Sequence, residues 1–320
     1  MELFHDVNVD WLGKKWYFLA FSMIFSVAGI ISMGWHWTHT GFPVPLGVDF
    51  RGGTEVEIQF QQPPNIAAIR SAIDQAGLHG ATPVNYDVPA NREVLISLPE
   101  QTNENTLDTG RQKIEDALHA HYNNPFTVRN VQSVGPTVGR QLQRQAALAT
   151  IYSMLGMLVY LWFRFQLIYG VAAVVACLHD TLITVGAFAL TDHEISLTVI
   201  AAILTLVGYS MNDTIVVFDR IRENLRISRR EPLHDLVNRS INQTLSRTVL
   251  TSGLTFLTVL SLYVFGGEVL KGFSFALVVG ILIGTYSSIA VASPMLVAYQ
   301  EWRSQKGKSA TLPAARRSRA

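Results

Sequence analysis

The chain reads as a polytopic α-helical membrane protein with six transmembrane helices and one small α+β domain inserted between the first two. Three observations predict this. Of 320 residues, 49% are hydrophobic and only 15% charged, a balance outside the ordinary soluble class. Six windows approach the roughly 20 apolar residues that a bilayer core of about 30 Å demands. They are about 16–35, 146–163, 167–190, 195–217, 248–265 and 272–299. The stretch between the first two windows instead alternates between strand and helix periods, as a folded soluble domain does.

The first window is too long for the apolar region of a signal peptide. It is followed by Trp35, His36 and Trp37 where a cleavage site needs small residues, so it is expected to remain as an anchor. Beyond it, GVDFRGG (residues 47–53) places Gly47, Asp49, Gly52 and Gly53 ahead of a strand. A structural turn with positive φ or close backbone approach is the expectation. A phosphate-binding loop would need a helix N-terminus after the glycines, and a strand follows.

Val56, Ile58 and Phe60 alternate as in a half-buried strand; Ile66, Ile69 and Ile73 then recur at helical spacing until Gly77. Strands near residues 82–86 and 94–98 precede a second amphipathic helix carrying Leu107, Ile114, Leu118 and Tyr122, and residues 126–134 supply a last strand. The order strand, helix, strand, strand, helix, strand is the split βαβ, ferredoxin-like (βαββαβ) arrangement, with one sheet face under two helices.

Lys14 and Lys15, the segment 220–247 and the tail 303–319 carry most of the basic residues outside the inserted domain. All three fall on one side if the spans alternate, and the positive-inside rule makes that side cytoplasmic. The expected organisation is a cytoplasmic N-terminus (1–15), a first span (16–35), a periplasmic domain (36–143), a five-span membrane domain (144–300) with a cytoplasmic loop at about 219–247, and a disordered basic tail (301–320).

Inside the fourth window stand Asn212 and Asp213. An ionised carboxylate at membrane depth costs roughly 2.5 to 3.5 kcal/mol on insertion scales, so Asp213 is a functional-site candidate by default, and Arg247 opening the next span is its candidate countercharge. The competing reading is a permanent structural ion pair with Arg247 snorkelling to the interface. Ser210 and Asn212 flank the carboxylate, although adjacent helical residues differ by about 100° and cannot both face it. Thr251, Thr255 and Thr258 follow Arg247 at helical spacing, suited either to a wet path or to bonding their own helix carbonyls. His179 and Asp180 in the third window are a relay or an interhelical contact. Gly280, Gly284, Ser288 and Ala292 form a stripe of small residues fit for close helix packing.

Several functions find no support. The net charge of +1 calls for no specific nucleic-acid partner, and the single Cys177 permits neither an internal disulfide nor a multi-cysteine zinc site. His36, His39, His119 and His121 lack a third ligand at metal spacing, so no metal is assigned. Gly307, Lys308 and Ser309 imitate the end of a P-loop, but Trp302 stands where its first glycine belongs. The chain is expected not to be an enzyme and to hold no cofactor.

GVDFRGG after the first span, His179-Asp180, GYSMNDTIVVFDRIREN (residues 208–224), Arg247-Thr248 with Thr251-Ser252-Gly253, and Phe265-Gly266-Gly267 occur together and in order. That set resembles the SecD/SecF family of RND-like export membrane proteins, and the small outer domain resembles its SecF members. The resemblance implies an auxiliary subunit of the bacterial Sec translocon in the inner membrane, partnered by SecD and working beside the SecYEG channel, with YajC and YidC as further neighbours. It implies that proton motive force drives late-stage export of an unfolded polypeptide, with Asp213 and Arg247 as the proton relay. Sodium is the alternative coupling ion. A non-conducting scaffold or assembly factor for the translocon, and a component of an RND-type small-molecule exporter, are the competing functions.

Overall fold

The computed structural model describes residues 8–86, 91–99, 109–165, 167–228 and 231–305. Helix α1 (Lys15–Thr40) is closed by Gly41 in the left-handed conformation, φ 77°, whose amide bonds the Trp37 carbonyl. A single helical turn, α2 (Val48–Arg51), then leads through Gly52 (φ 82°) and Gly53 (φ 139°) into β1 (Gly53–Phe60). Both glycines therefore occupy backbone that side chains disfavour, which is the turn the sequence calls for.

The inserted domain follows its hydrophobic periods. Helix α3 (Ile66–Gln75) is capped by Asn65, whose Oδ1 accepts the Ala67 and Ala68 amides. After β2 (Thr82–Asn85) and β3 (Glu93–Pro99) come α4 (Thr109–His121) and β4 (Phe126–Val134). The sheet order β2-β3-β1-β4, antiparallel at every pairing, is that of the split βαβ fold. Val56, Ile58 and Phe60 of β1 join Val94, Ile96 and Leu98 of β3 beneath Ile69, Ile73, Ile114 and Leu118 of the two helices. Leu107, assigned by sequence to the second helix, lies outside the described residues.

Among the described residues, six helices are long and apolar enough to cross a membrane. They are α1, α5 (Pro136–Arg164), α6 (Leu167–Thr191), α7 (Leu197–Ile227), α8 (Leu233–Phe265) and a composite of α9 (Gly267–Ser287), a π-helical segment (Ser288–Ala292) and α10 (Ser293–Gln305). The composite is the most enclosed, with 67% of its apolar window buried, against 6% for α5 and 11% for α1. The centre of the membrane domain is therefore built from α6, α7 and α9, and its flanks from α1, α5 and α8.

Small residues set the closest approaches. A Cβ on Gly29 would stand 2.9 Å from the Gly186 Cα, so α1 and α6 touch backbone to backbone. On α9, Gly280 meets the Leu206 side chain and Gly284 meets Ser210. The stripe of small residues thus packs against α7 of the same chain. Residue pairs 22/179 and 29/186 on α1 and α6, and 206/280 and 210/284 on α7 and α9, advance in the same direction, as alternating spans require.

Two differences from the sequence reading concern helix ends. The segment 219–247 is mostly helix, because Leu236, Val237 and Ile241 of α8 continue to bury against Phe218 and Ile221 of α7 beyond the apolar windows. The last helix runs to Gln305, past the expected boundary at 300; the remaining tail lies outside the described residues.

Candidate functional site

Asp213 sits on α7 with only 2% of its surface exposed. Helix α8 brings Thr244, Thr248 and Ser252, spaced four residues apart, onto its buried face against α7. Ser252 Oγ donates to Asp213 Oδ2 at 2.6 Å. The Thr248 hydroxyl, one turn earlier, is buried with no partner among the described residues.

Arg247 does not touch Asp213: among the described residues no ion pair joins them within 4.0 Å, and Arg247 is exposed on α8. Of the two readings of the pair, the close permanent ion pair is not the arrangement seen here. Five residues separate Arg247 from Ser252, so the two project about 140° apart around the helix, and it is Ser252 that faces α7. A charge-assisted hydroxyl bond, in place of a salt bridge, holds the carboxylate.

The flanking residues divide as the helical step requires. Asn212 is exposed and makes no contact with Asp213. Ser210 is buried but turns to α6, donating to Asp180 Oδ2 at 2.5 Å. On α8, the Thr251 hydroxyl bonds the Arg247 and Thr248 carbonyls, Thr255 bonds Thr251, and Thr258 bonds Leu254, all within the helix. These threonines take the back-bonding arrangement.

A second polar junction surrounds Asp180, 1% exposed, on α6. Its Oδ2 accepts from Ser210 of α7 and from Ser287 of α9 at 2.7 Å; its Oδ1 lies 3.0 Å from His179 Nδ1. The other ring nitrogen of His179 contacts Ser22 Oγ on α1. Three helices thus meet at one carboxylate, and His179 joins α1 to them. Sequence reasoning found His179, Asp180 and Ser210 but missed Ser22, Ser252 and Ser287. Ser252 carried a signal, since it lies in the Thr251-Ser252-Gly253 motif four residues after the buried Thr248. Ser22 and Ser287 carried none beyond being polar in apolar windows.

The GVDFRGG segment is placed at the opposite end of α7. The Gly47 amide bonds the Ile195 carbonyl at 3.0 Å, and the Ile195 amide bonds the Pro45 carbonyl at 2.8 Å. Asp49 Oδ2 accepts the Leu197 amide at 2.9 Å, capping the first turn of α7 from a distant part of the chain. Gln143 of α5 donates to the Phe50 carbonyl at 2.8 Å, and a Cβ on Gly139 would lie 2.7 Å from that oxygen. The glycine-rich segment is a foot that fixes the inserted domain to α5 and α7. His36 closes the same end of α1, its Nε2 being 2.9 Å from the Ala189 carbonyl and 3.3 Å from Asp192.

Comparison with known proteins agrees with this geometry. Residues 113–302 match the family model described as protein export membrane protein SecD/SecF, C-terminal, and residues 40–64 match the SecD/SecF GG motif. The protein translocase subunit SecF of Koribacter versatilis is 54% identical over 97% of this chain and 96% of its own; that of Vibrio alginolyticus is 41% identical over 86% and 84%. The crystal structure of SecDF from Thermus thermophilus, a translocon-associated membrane protein, superposes with a TM-score of 0.78 at 36% identity, covering 92% of this chain and 39% of that one. SecDF in its super-membrane-facing form gives 0.69 at 36% identity, covering 95% and 40%. The chain thus spans about two fifths of those SecDF chains. With the motif at its foot, the membrane core and near full-length identity in common with the SecF translocase subunits, this multi-pass membrane chain belongs to the SecF branch of the SecD/SecF protein-export family.

Proposed function

We propose that this chain works with a SecD subunit to couple the proton motive force to late-stage export of polypeptides across the bacterial inner membrane, with Asp213 as a proton-loading carboxylate. The observation that carries this reading is the environment of Asp213: buried, held by one serine hydroxyl, and out of contact with its nearest candidate cation. A permanently neutralised pair would be a structural element. A carboxylate that can exchange its hydroxyl for a proton, and approach or leave Arg247, is a switch.

The energetics are commensurate. One proton moving down 100 mV supplies about 2.3 kcal/mol. A two-unit change in the affinity of a carboxyl for its proton corresponds to about 2.7 kcal/mol. Helices that repack on that scale would pass the change to the outer domain through the foot on α7.

The partner assignment draws on the SecDF structures, of which this chain matches about two fifths, and on the apolar faces that α1, α5 and α8 leave uncovered. Arg247 lies on that uncovered side of α8 and is available to a partner subunit. On this reading both termini lie on the cytoplasmic side and the ferredoxin-like domain in the periplasm. In support, Val9, Trp11 and Leu12 hydrogen-bond to Asn238 and Asn242, putting the N-terminal segment beside the part of α8 that carries Arg239.

The test is export from energised membrane vesicles containing the chain and its SecD partner. Asp213→Asn is expected to abolish the gradient-dependent part of export and to make the remainder insensitive to a protonophore. Export that is unchanged in this variant would leave a scaffold role standing instead. Replacing the proton gradient by a sodium gradient is expected to give no stimulation.

A further inference from the structure

The junction at Asp180 asks for its own explanation, because a buried carboxylate that is given three donors from three helices does more than close a packing gap. Its oxygens receive Ser210 and Ser287 hydroxyls and face His179 Nδ1, while His179 Nε2 meets Ser22. No lysine or arginine among the described residues comes within ion-pair distance of it. The described titratable groups near these contacts are Cys177 and His179 on α6, Tyr209 and Asp213 on either side of Ser210 on α7, and Tyr286 beside Ser287 on α9; α1 brings Ser22, which does not titrate in this range.

We propose that Asp180 and His179 form a second proton-binding site in the membrane core, separate from Asp213, whose occupancy sets the polarity of the His179–Ser22 hydrogen bond and thereby the seating of α1. The inference rests on the proton-coupled reading above. Its logic is a proton count. With Asp180 ionised and His179 neutral, Nδ1–H donates to the carboxylate, so Nε2 is bare and accepts the Ser22 hydroxyl. One added proton can reside on the imidazole or on the carboxyl. In the first case both ring nitrogens carry hydrogen. In the second, with the proton on Oδ1, the oxygen that faces the ring, the carboxyl donates to Nδ1, and the ring hydrogen sits on Nε2. Either way Nε2 becomes the donor and Ser22 Oγ the acceptor.

That inversion releases the Ser22 hydroxyl hydrogen, which must find another acceptor in a dry interface. A serine on a helix turns to the carbonyls three or four residues earlier, here Leu19 and Phe18. The Phe18 carbonyl already accepts the Tyr286 hydroxyl from α9. Protonation therefore sets Ser22 in competition with the α1–α9 contact. The π-helical turn that begins at Ser288 belongs to the same junction: it interrupts the regular ladder directly after Ser287, and Ser293 Oγ bonds back to the Ser288 carbonyl at 2.9 Å. The bond that joins α1 to α6 at this depth thus depends on one proton.

The experiment uses the full chain reconstituted with its SecD partner in proteoliposomes. Infrared difference spectra across a pH titration read protonated carboxyl groups, and solid-state NMR of nitrogen-15-labelled histidine reads hydrogen on His179 Nε2. The expected result is that Nε2 gains hydrogen as pH falls in wild type and no longer follows pH in Asp180→Asn. Asp180→Asn is also expected to reduce gradient-driven proton flux, and Asp180→Glu to restore both signals. Ser22→Ala is expected to keep the histidine titration while loosening α1, seen as faster amide exchange along that helix. A His179 signal that titrates identically in wild type and Asp180→Asn overturns the site. So does normal flux in Asp180→Asn where Asp213→Asn has none. If Asp213→Asn conducts normally, the proton-coupled reading itself fails, and that outcome is distinct because the His179 titration is read independently.

Discussion

Asp213 and Glu55 illustrate two ways in which this chain buries a carboxylate. Asp213 keeps a single hydroxyl donor inside the bilayer. Glu55, on β1 of the outer domain, is pushed above its ordinary protonation range, first by burial and then by the neighbouring charge of Asp49, while the Ser97 hydroxyl at 3.2 Å opposes the shift. A group whose folded pKa is raised binds more protons folded than unfolded. Its contribution therefore favours folding at low pH, and stability falls as pH climbs from the ordinary glutamate value, about 4.3, through the raised one. Glu55→Gln removes that loss. It is expected to slow amide exchange in the outer-domain sheet at neutral pH and to change nothing below the ordinary glutamate range. Faster exchange at neutral pH would contradict the assignment.

At this scale the sequence exposed the ionisable members of each site and hid their partners. Asp213, Asp180 and His179 stand out because charge is rare in apolar windows. Ser22, Ser252 and Ser287 do not, since a serine in a membrane helix usually bonds its own backbone. Arg247 was legible as the cation opening the adjacent span, but the face of α8 that meets α7 depends on packing, and that face carries Ser252.

Elements were legible wherever a period was clean. The alternation Val56, Ile58, Phe60 fixes β1, and the helical spacing of Ile66, Ile69 and Ile73 marks α3. Helix ends were harder, because α7 and α8 continue as an amphipathic pair beyond the bilayer window. The break at Ser288–Ala292 was hidden, as a π turn adds one residue per turn without changing composition. The contact of α1 with α6 turns on Gly29 and Gly186, seven residues past Ser22 and His179 respectively. Gly186→Ala would put a Cβ within 2.8 Å of the Gly29 Cα, so the helices must separate. A destabilisation of about 1 to 3 kcal/mol is expected from such overpacking. Thermal unfolding in detergent measures it, and an unchanged midpoint would show that α1 is not seated as described.

In the whole molecule, the outer domain and the membrane core meet at the foot. Asp49 caps α7, whose other half carries Ser210 and Asp213, so one helix links the face that bears the inserted domain to both buried carboxylates. Asp49→Ala removes a cap on α7 worth about 0.5 to 2 kcal/mol. It is expected to expose the Leu197 amide to exchange and to reduce gradient-driven export while leaving proton uptake at Asp213 in place. Loss of both together would place Asp49 in the proton path and not in the linkage. The fold was readable from the apolar windows and the strand and helix periods, and the family from the ordered motifs. The foot was not, because its hydrogen bonds join segments nearly 150 residues apart.

Proton flux through proteoliposomes holding this chain with its SecD partner, driven by an imposed pH gradient, bears most directly on the role given to Asp213. Wild type and Asp213→Glu are expected to conduct, and Asp213→Asn to fall to the level of empty liposomes although it assembles normally. Conduction by Asp213→Asn at the wild-type rate would contradict a proton-loading carboxylate at this position.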